Sequence, residues 1–325
     1  MNRNLFYTSV IMGILFISQL FAFEKVGVTA FQFLKVIPDA RSTAMGEAYS
    51  SISQGADGMY WNPASMMWSD GLSLNFSRVD YIFDTNHYGI SASYKYRGFA
   101  FGAMFMNADY GEIAVTDVTN LGYMSDGSFN PGLTGEIIHP GAIVTGIGFA
   151  QRLTDKFSYG VSAKYAREDM AYGDSTVYSL NMWDMGLIYN TGFRSIRVAA
   201  TIRNFGSQVK YFDYDYPLPQ TLNVGISAFI FGKTDALLTN NASHQLLVAF
   251  DLVQPRDYDQ QYNVGCEYIF MDLIALRSGY KINYDTEGLT FGVGLFLKDF
   301  GVDYSYNNYG KYLTDVHRFS FSFNR

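Results

Sequence analysis

Phe157-Ser158-Tyr159-Gly160-Val161-Ser162-Ala163-Lys164-Tyr165 decides the fold of this 325-residue chain. Phe157, Tyr159, Val161, Ala163 and Tyr165 share one face of an extended segment; Ser158, Gly160, Ser162 and Lys164 share the other. Period-two alternation of this kind marks a β-strand with one apolar and one polar face. The pattern recurs where Ile196, Val198, Ala200 and Ile202 oppose Arg197, Ala199, Thr201 and Arg203. It returns where Ile274, Leu276, Tyr280 and Ile282 oppose Arg277, Gly279, Lys281 and Asn283, and where Phe319, Phe321 and Phe323 oppose Arg318, Ser320, Ser322 and Asn324.

Two folds present such strands: a soluble sandwich hides the apolar faces between sheets, and a membrane barrel turns them to lipid. Strand length favours the barrel, because segments of about 9–13 residues suit a tilted crossing of a bilayer. Rings near strand ends (Tyr94, Tyr96, Tyr189, Tyr284, Tyr306) suit interfacial girdles. Loop lengths decide. The pattern predicts strands at 71–80, 87–96, 98–106, 141–152, 156–167, 176–189, 194–205, 220–231, 244–253, 261–270, 273–284, 289–297, 299–307 and 315–325. Tight turns at 97–98, 153–155, 190–193, 271–272 and 298–299 alternate with longer polar loops at 107–140, 168–175, 206–219, 254–260 and 308–314. Short periplasmic turns and long external loops are the habit of outer-membrane barrels. Two connections fit poorly: 232–243 is long for a periplasmic turn, and 285–288 is short for an external loop. The expectation is an all-β, transmembrane, antiparallel up-and-down barrel of about 14 strands with an N-terminal plug, or hatch, in its lumen.

Composition agrees. Charged residues make up 16% of the chain and aromatic residues 17%, so rings outnumber charges. Disorder and coiled coils need the opposite balance. A net charge of −7 argues against a nucleic-acid partner. Residues 1–22 read as a cleaved signal peptide, with Arg3 as the positive n-region, Leu5 to Leu20 as the apolar core and Ala22 at the cleavage point. A single membrane anchor is the weaker reading, because about 16 apolar residues are short for a span. The lone Cys266 forms no internal disulfide.

The expected lumen face carries Gly102, Gly148, Gly160, Gly186, Gly225, Gly265, Gly279, Gly292 and Gly301, with Arg197, Arg203, Glu267, Arg277, Lys281 and Asp303 among them. Glycine weakens a strand unless the sheet must bend or another backbone must approach. Both readings stay open, and the second places part of the chain inside. Residues 23–70 lack strand alternation and are the natural hatch, leaving 71–325 for the barrel. Within the hatch, Met45 to Tyr49 is expected as a short helix capped near Ser42 or Thr43. Asn62-Pro63 is turn chemistry. Tyr60 and Trp61 are expected to wedge against the lumen glycines, and Arg41 and Asp57 to answer lumen charges. Asn62 to Ala64 serve either packing or gating.

These residues carry a resemblance. The run Arg41, Met45-Gly46 and Ala48, followed by Asp57 and Tyr60-Trp61-Asn62-Pro63-Ala64, resembles the N-terminal signature of the PorV/PorQ family of outer-membrane proteins. That family is related to FadL-type long-chain fatty-acid transporters, which also carry an Asn-Pro-Ala motif in a hatch inside a fourteen-stranded barrel. The resemblance implies a non-enzymatic part in type IX secretion, with secreted cargo proteins and secretion-system subunits as partners besides outer-membrane lipid. The alternative is FadL-like transport of a hydrophobic ligand. A surface-adhesive barrel acting through loop 107–140 is a third reading.

No catalytic pattern emerges. His87, His139, His244 and His317 lack metal-ligand spacing, Gly146-Ile147-Gly148 and Gly292-Val293-Gly294 lie inside expected strands, and no cofactor is implied. Asp213-Tyr214-Asp215 and Asp257-Tyr258-Asp259 fall in expected external loops, where solvated charge is a better reading than a weak cation site. The terminal Phe319, Phe321 and Phe323 stripe resembles the last-strand signal of outer-membrane barrels, although the chain ends Asn324-Arg325.

Overall fold

The structure, a computed structural model, describes residues 27–171, 176–211, 213–310 and 313–325, with Leu180 described in its backbone alone. The signal peptide of 1–22 lies outside the described residues. Fourteen strands close into a barrel: β1 Leu72–Asp80, β2 Asn86–Tyr96, β3 Phe99–Asp109, β4 Gly141–Thr154, β5 Phe157–Asp169, β6 Thr176–Asn190, β7 Arg197–Gly206, β8 Thr221–Gly232, β9 His244–Pro255, β10 Gln261–Phe270, β11 Ile274–Ile282, β12 Leu289–Leu297, β13 Phe300–Asn307 and β14 Val316–Asn324. Each pairs antiparallel with its sequence neighbours, and β1 pairs with β14 from Ser73↔Asn324 to Asp80↔His317. The expected fold class is therefore observed. Closure leaves no barrel strand with an unpaired edge, which a span through lipid requires. The seam is finished by Leu72 and Arg325, each donating its amide to the other's carbonyl, at 2.7 and 2.8 Å. Gly71 sits at φ 58°, where a Cβ would lie 2.1 Å from the Arg325 carbonyl oxygen, so only glycine fits there.

Alternation sorts the two faces. In β1, Ser73, Asn75, Ser77 and Val79 are buried toward the lumen, while Leu74 and Phe76 are exposed outward. Phe101, Ile147, Leu276 and Val302 join that outward belt, each more than half exposed. An apolar belt of this extent is a lipid-facing surface.

Four sequence expectations change. Loop 107–140 is mostly a second small sheet, Ile113–Tyr123 paired with Phe129–Ile138. Two register shifts blur its alternation, which is why it reads as irregular. Loop 206–219 holds another hairpin, Val209–Tyr211 with Tyr214–Tyr216. The overlong 232–243 turn folds Thr239–Asn240 in parallel against Phe231 and Gly232. Finally, Tyr284 is not a girdle ring. Asn283 at φ 67° ends β11 early, and Tyr284 lies beside Lys281, with Nζ 5.0 Å from the ring centre.

Residues 27–70 fill the lumen. They enter at the long-loop end, where Ala30 donates to the Pro217 carbonyl and Lys35 pairs with Asp257 at 2.6 Å, and leave at the short-turn end into β1. Asp257 is thus a buried ion-pair member, not a solvated loop charge.

Candidate functional site: the hatch seat and the cavity above it

The hatch helix spans Ala40–Ala44, not Met45 to Tyr49. Asp39 caps it by accepting from the Ser42 amide at 2.7 Å, which moves the start upstream of Ser42 and Thr43. Gly46 and Glu47 follow at φ 61° and 63° and end it. This left-handed exit lays the hatch backbone on the barrel wall: a Cβ on Gly279 would sit 2.1 Å from the Gly46 nitrogen, and one on Gly265 2.3 Å from the Met45 carbonyl oxygen. The lumen glycines of β3 and β4, Gly102 and Gly148, face the thioethers of Met59 and Met66. Gly160 and Gly186 face Pro63, Ala64 and Asn62. Gly301 is different, meeting Ser322 and Phe296 of the wall. Asn62 caps the following 3-10 turn, Pro63–Trp68, by accepting from the Ala64 amide at 3.1 Å, while its amide donates to the carbonyls of Ser50 and Leu187. Pro63 stands at the first position of that turn, where a missing N–H costs nothing.

Charge holds the hatch as well as shape. Arg41 donates to both oxygens of Glu267, at 2.9 and 2.7 Å. Glu267 also accepts from Arg277 at 2.6 Å, and Arg277 reaches Asp303 at 2.6 Å. Lys281 bridges Glu47 of the hatch, at 2.6 Å, and Glu287. Among the described residues no cation forms an ion pair with Asp57; it accepts from the Tyr49 hydroxyl at 3.0 Å and the Asn75 amide at 2.8 Å. Burial, reinforced by nearby Asp39, lifts its carboxyl from 3.8 to about 8. Trp61 packs edge-on to Tyr49 and beneath the Arg203 guanidinium, 4.7 Å from its ring, so it does not wedge on glycine. The Tyr60 hydroxyl does lie against Gly89.

Trp68 was not singled out by its sequence context. Its ring has Arg152 4.8 Å and Arg197 4.7 Å from its centre, and its indole donates to Ser158 at 3.0 Å. Arg197 adds bonds to Asn190 and the Ser51 carbonyl. These contacts tie the exit of the hatch to β4, β5, β6 and β7.

Above the hatch, at the long-loop end, lies an open cavity of about 570 Å³. Phe33, Leu34 and Val36 of the hatch form part of its wall, with Tyr81, Tyr284 and Tyr309 from the loops. Tyr110 and Tyr211 both donate to Glu168 and fasten the loops around it. A recess of about 20 Å³ adjoins the cavity, walled by Leu34, Ile37, Met104, Met106 and Val144. Arg203 and Asn204 border both. Beneath them Lys164 pairs with Asp184 at 2.6 Å, and the Asn204 amide donates to Asp184 at 2.7 Å. This group sits where the β5–β6 and β6–β7 ladders each skip a residue. Lys164 stood on the expected lumen face, but pairing across three strands has no local sequence signal.

Among the described residues no three metal-capable side chains cluster. No protein-family model matches the chain, and no curated protein does. Solved structures do. The Ralstonia pickettii toluene transporter TbuX aligns over 91% of this chain and 100% of its own, at 15% identity and a TM-score of 0.60. The monoaromatic hydrocarbon channel CymD aligns over 91% and 99%, at 15% identity and a TM-score of 0.57. The P. putida toluene transporter TodX aligns over 87% and 97%, at 14% identity and 0.56. At these identities the likeness concerns the fold alone: the chain shares its barrel fold with proteins described as hydrocarbon channels and toluene transporters.

Proposed function

We propose that this protein is an outer-membrane channel for small hydrophobic molecules, which enter at the long-loop end and pass when the hatch shifts. The observation that carries the reading is the cavity of about 570 Å³ walled by Phe33, Leu34, Val36 and loop tyrosines directly above the hatch. The same wall carries charged groups, among them Lys35, Glu47, Arg203, Lys281 and Arg318, so a small hydrophobic ligand would meet rings and aliphatic side chains beside polar groups that orient it. The adjoining recess holds about 20 Å³, so passage toward the short-turn end needs hatch movement. The fold shared with TbuX, CymD and TodX supports the reading. Saturation-transfer NMR on the detergent-solubilised protein with toluene tests it. Saturable binding that is lost in Leu34→Glu is expected; non-saturable partitioning identical in both proteins would contradict it.

One observation favours a part in protein export, the role implied by residues 41–64. The Ile113–Tyr123 and Phe129–Ile138 hairpin exposes Val118, Leu121, Tyr123 and Phe129, with no Lys or Arg between Arg97 and Arg152. An apolar, acidic surface of that kind suits a protein partner. Secretion subunits that co-purify with the full chain, and not with a variant lacking the hairpin, would support this role.

A further inference from the structure

We propose that the floor of the mouth cavity is an anion site centred on Arg203, and that the molecule it selects is a compact aromatic acid bound as its carboxylate. The inference rests on the channel reading and narrows its substrate class.

The first argument is charge. Arg203 borders both the cavity and the recess. It stacks on Trp61 and donates one hydrogen bond, from Nη1 to the Tyr60 carbonyl at 3.3 Å. Its Nε is buried without a partner, and among the described residues no carboxylate stands at ion-pairing distance. Of the acids on the cavity wall, Glu168 accepts from Tyr110 and Tyr211, Glu287 pairs with Lys281, and Asp285 stands among the loops; those that act on Arg203 most strongly are bound to other groups. Asp184 is held by Lys164, by the Asn204 amide and by Ser162. Glu47 is held by Lys281, and Asp251 accepts from the amides of Tyr49 and Ser50. Arg318, a second guanidinium on the cavity wall, bonds the Ile37 carbonyl and Asn307, which are neutral. A half-buried cation whose Nε is sealed from water without a partner is costly, and a ligand carboxylate removes that cost through charge-assisted bonds that the planar fork of arginine is built to make.

The second argument is shape. The rings of Phe33, Tyr81, Tyr284 and Tyr309 suit a flat body. The recess beyond Arg203, at about 20 Å³, has the size of a water site and takes no alkyl chain. A neutral hydrocarbon would fill the cavity and leave Arg203 as it stands. A long-chain acid would satisfy Arg203 but has no ring to set against that wall.

The test compares 4-isopropylbenzoate, its amide and the hydrocarbon p-cymene, with decanoate as a long-chain competitor, on the full chain in detergent at neutral pH. The acid is expected to bind at least about tenfold tighter than its isosteric amide, with the ratio falling toward one in Arg203→Met and partly kept in Arg203→Lys. If Arg203→Met does not fold, the ratio in the unmodified protein and its decline with salt decide. Equal binding of acid, amide and p-cymene would overturn the anion site while leaving the channel reading standing. Decanoate binding as tightly as the aromatic acid would overturn the compact-ligand assignment. Binding of none of the four to an intact barrel would defeat the channel reading itself.

Discussion

Glu267→Gln removes the carboxylate that Arg41 of the hatch and Arg277 of the wall share, while keeping its size. Glu267 is fully buried, as is the Arg277 side chain, and the Arg41 side chain is one-fifth exposed. Taking one partner from a buried pair leaves uncompensated charge and costs roughly 3–5 kcal/mol. Arg41→Met is milder, because Glu267 keeps Arg277 and loses one charged hydrogen-bonding partner, at about 1.5–3 kcal/mol. The barrel ladders do not depend on this contact, so the loss falls on the equilibrium between a seated and a released hatch. At about 1.4 kcal/mol per decade, Glu267→Gln multiplies hatch release by roughly 10²–10⁴. Hydrogen exchange reads this at the Met45 and Gly46 amides, which donate to Ser42 and Thr43 within the hatch at 3.1 Å each. Those amides are expected to exchange faster by that factor while amides of β2 and β3 do not change. Unchanged hatch exchange, or equal acceleration across the barrel, would refute the claim that this network holds the hatch.

Gly279→Ala places a methyl 2.1 Å from the Gly46 nitrogen and is expected to destabilise the seat by about 1–3 kcal/mol, whereas Gly98→Ala, with open space around it, leaves hatch exchange unchanged. Asp57 makes the seat sensitive to pH. Its carboxyl binds a proton more tightly in the seated hatch, so that contribution is complete below about pH 4, declines as pH rises and is gone above about 8. Limited proteolysis of the hatch should therefore accelerate between about pH 4 and about pH 8 and level off above that, and Asp57→Asn should flatten the profile. Trp68→Leu removes the ring between Arg152 and Arg197 and is expected to cost about 1–2 kcal/mol, seen as faster exchange at Ser65 and little change at Gly46.

The barrel was legible because a strand crossing lipid must alternate along its whole length. Phe319, Phe321 and Phe323 against Arg318 and Ser320 announce both faces without reference to any neighbour. The hairpin at 113–138 escaped for the opposite reason: with neither face against lipid or lumen, nothing enforces the alternation. The hatch was legible as a segment, since lumen glycines and the absence of alternation in residues 23–70 pointed to each other. Its internal geometry was not. Met45 to Tyr49 has the composition of a helix, but Asp39 competes for the cap and Gly279 requires the backbone itself to lie flat at Gly46. Site charges divide in the same way. Glu267 and Arg277 could be placed on the lumen face by counting, while the pairing of Lys164 with Asp184 depends on two adjacent bulges in the ladder. Trp68 looks like the end of a loop until Arg152 and Arg197 close on it from strands far away in sequence.

The central claim is that a hydrophobic molecule crosses the outer membrane through this barrel when the hatch moves. Uptake of labelled toluene by whole cells tests it most directly, in a strain lacking hydrocarbon channels of its own, because a lipopolysaccharide leaflet resists hydrocarbons where a phospholipid vesicle does not. The account predicts faster initial uptake with the protein than with an empty vector, and faster again with Glu267→Gln at equal barrel content. Uptake equal to the empty vector for both proteins, with folded barrel present in the outer membrane, would contradict it.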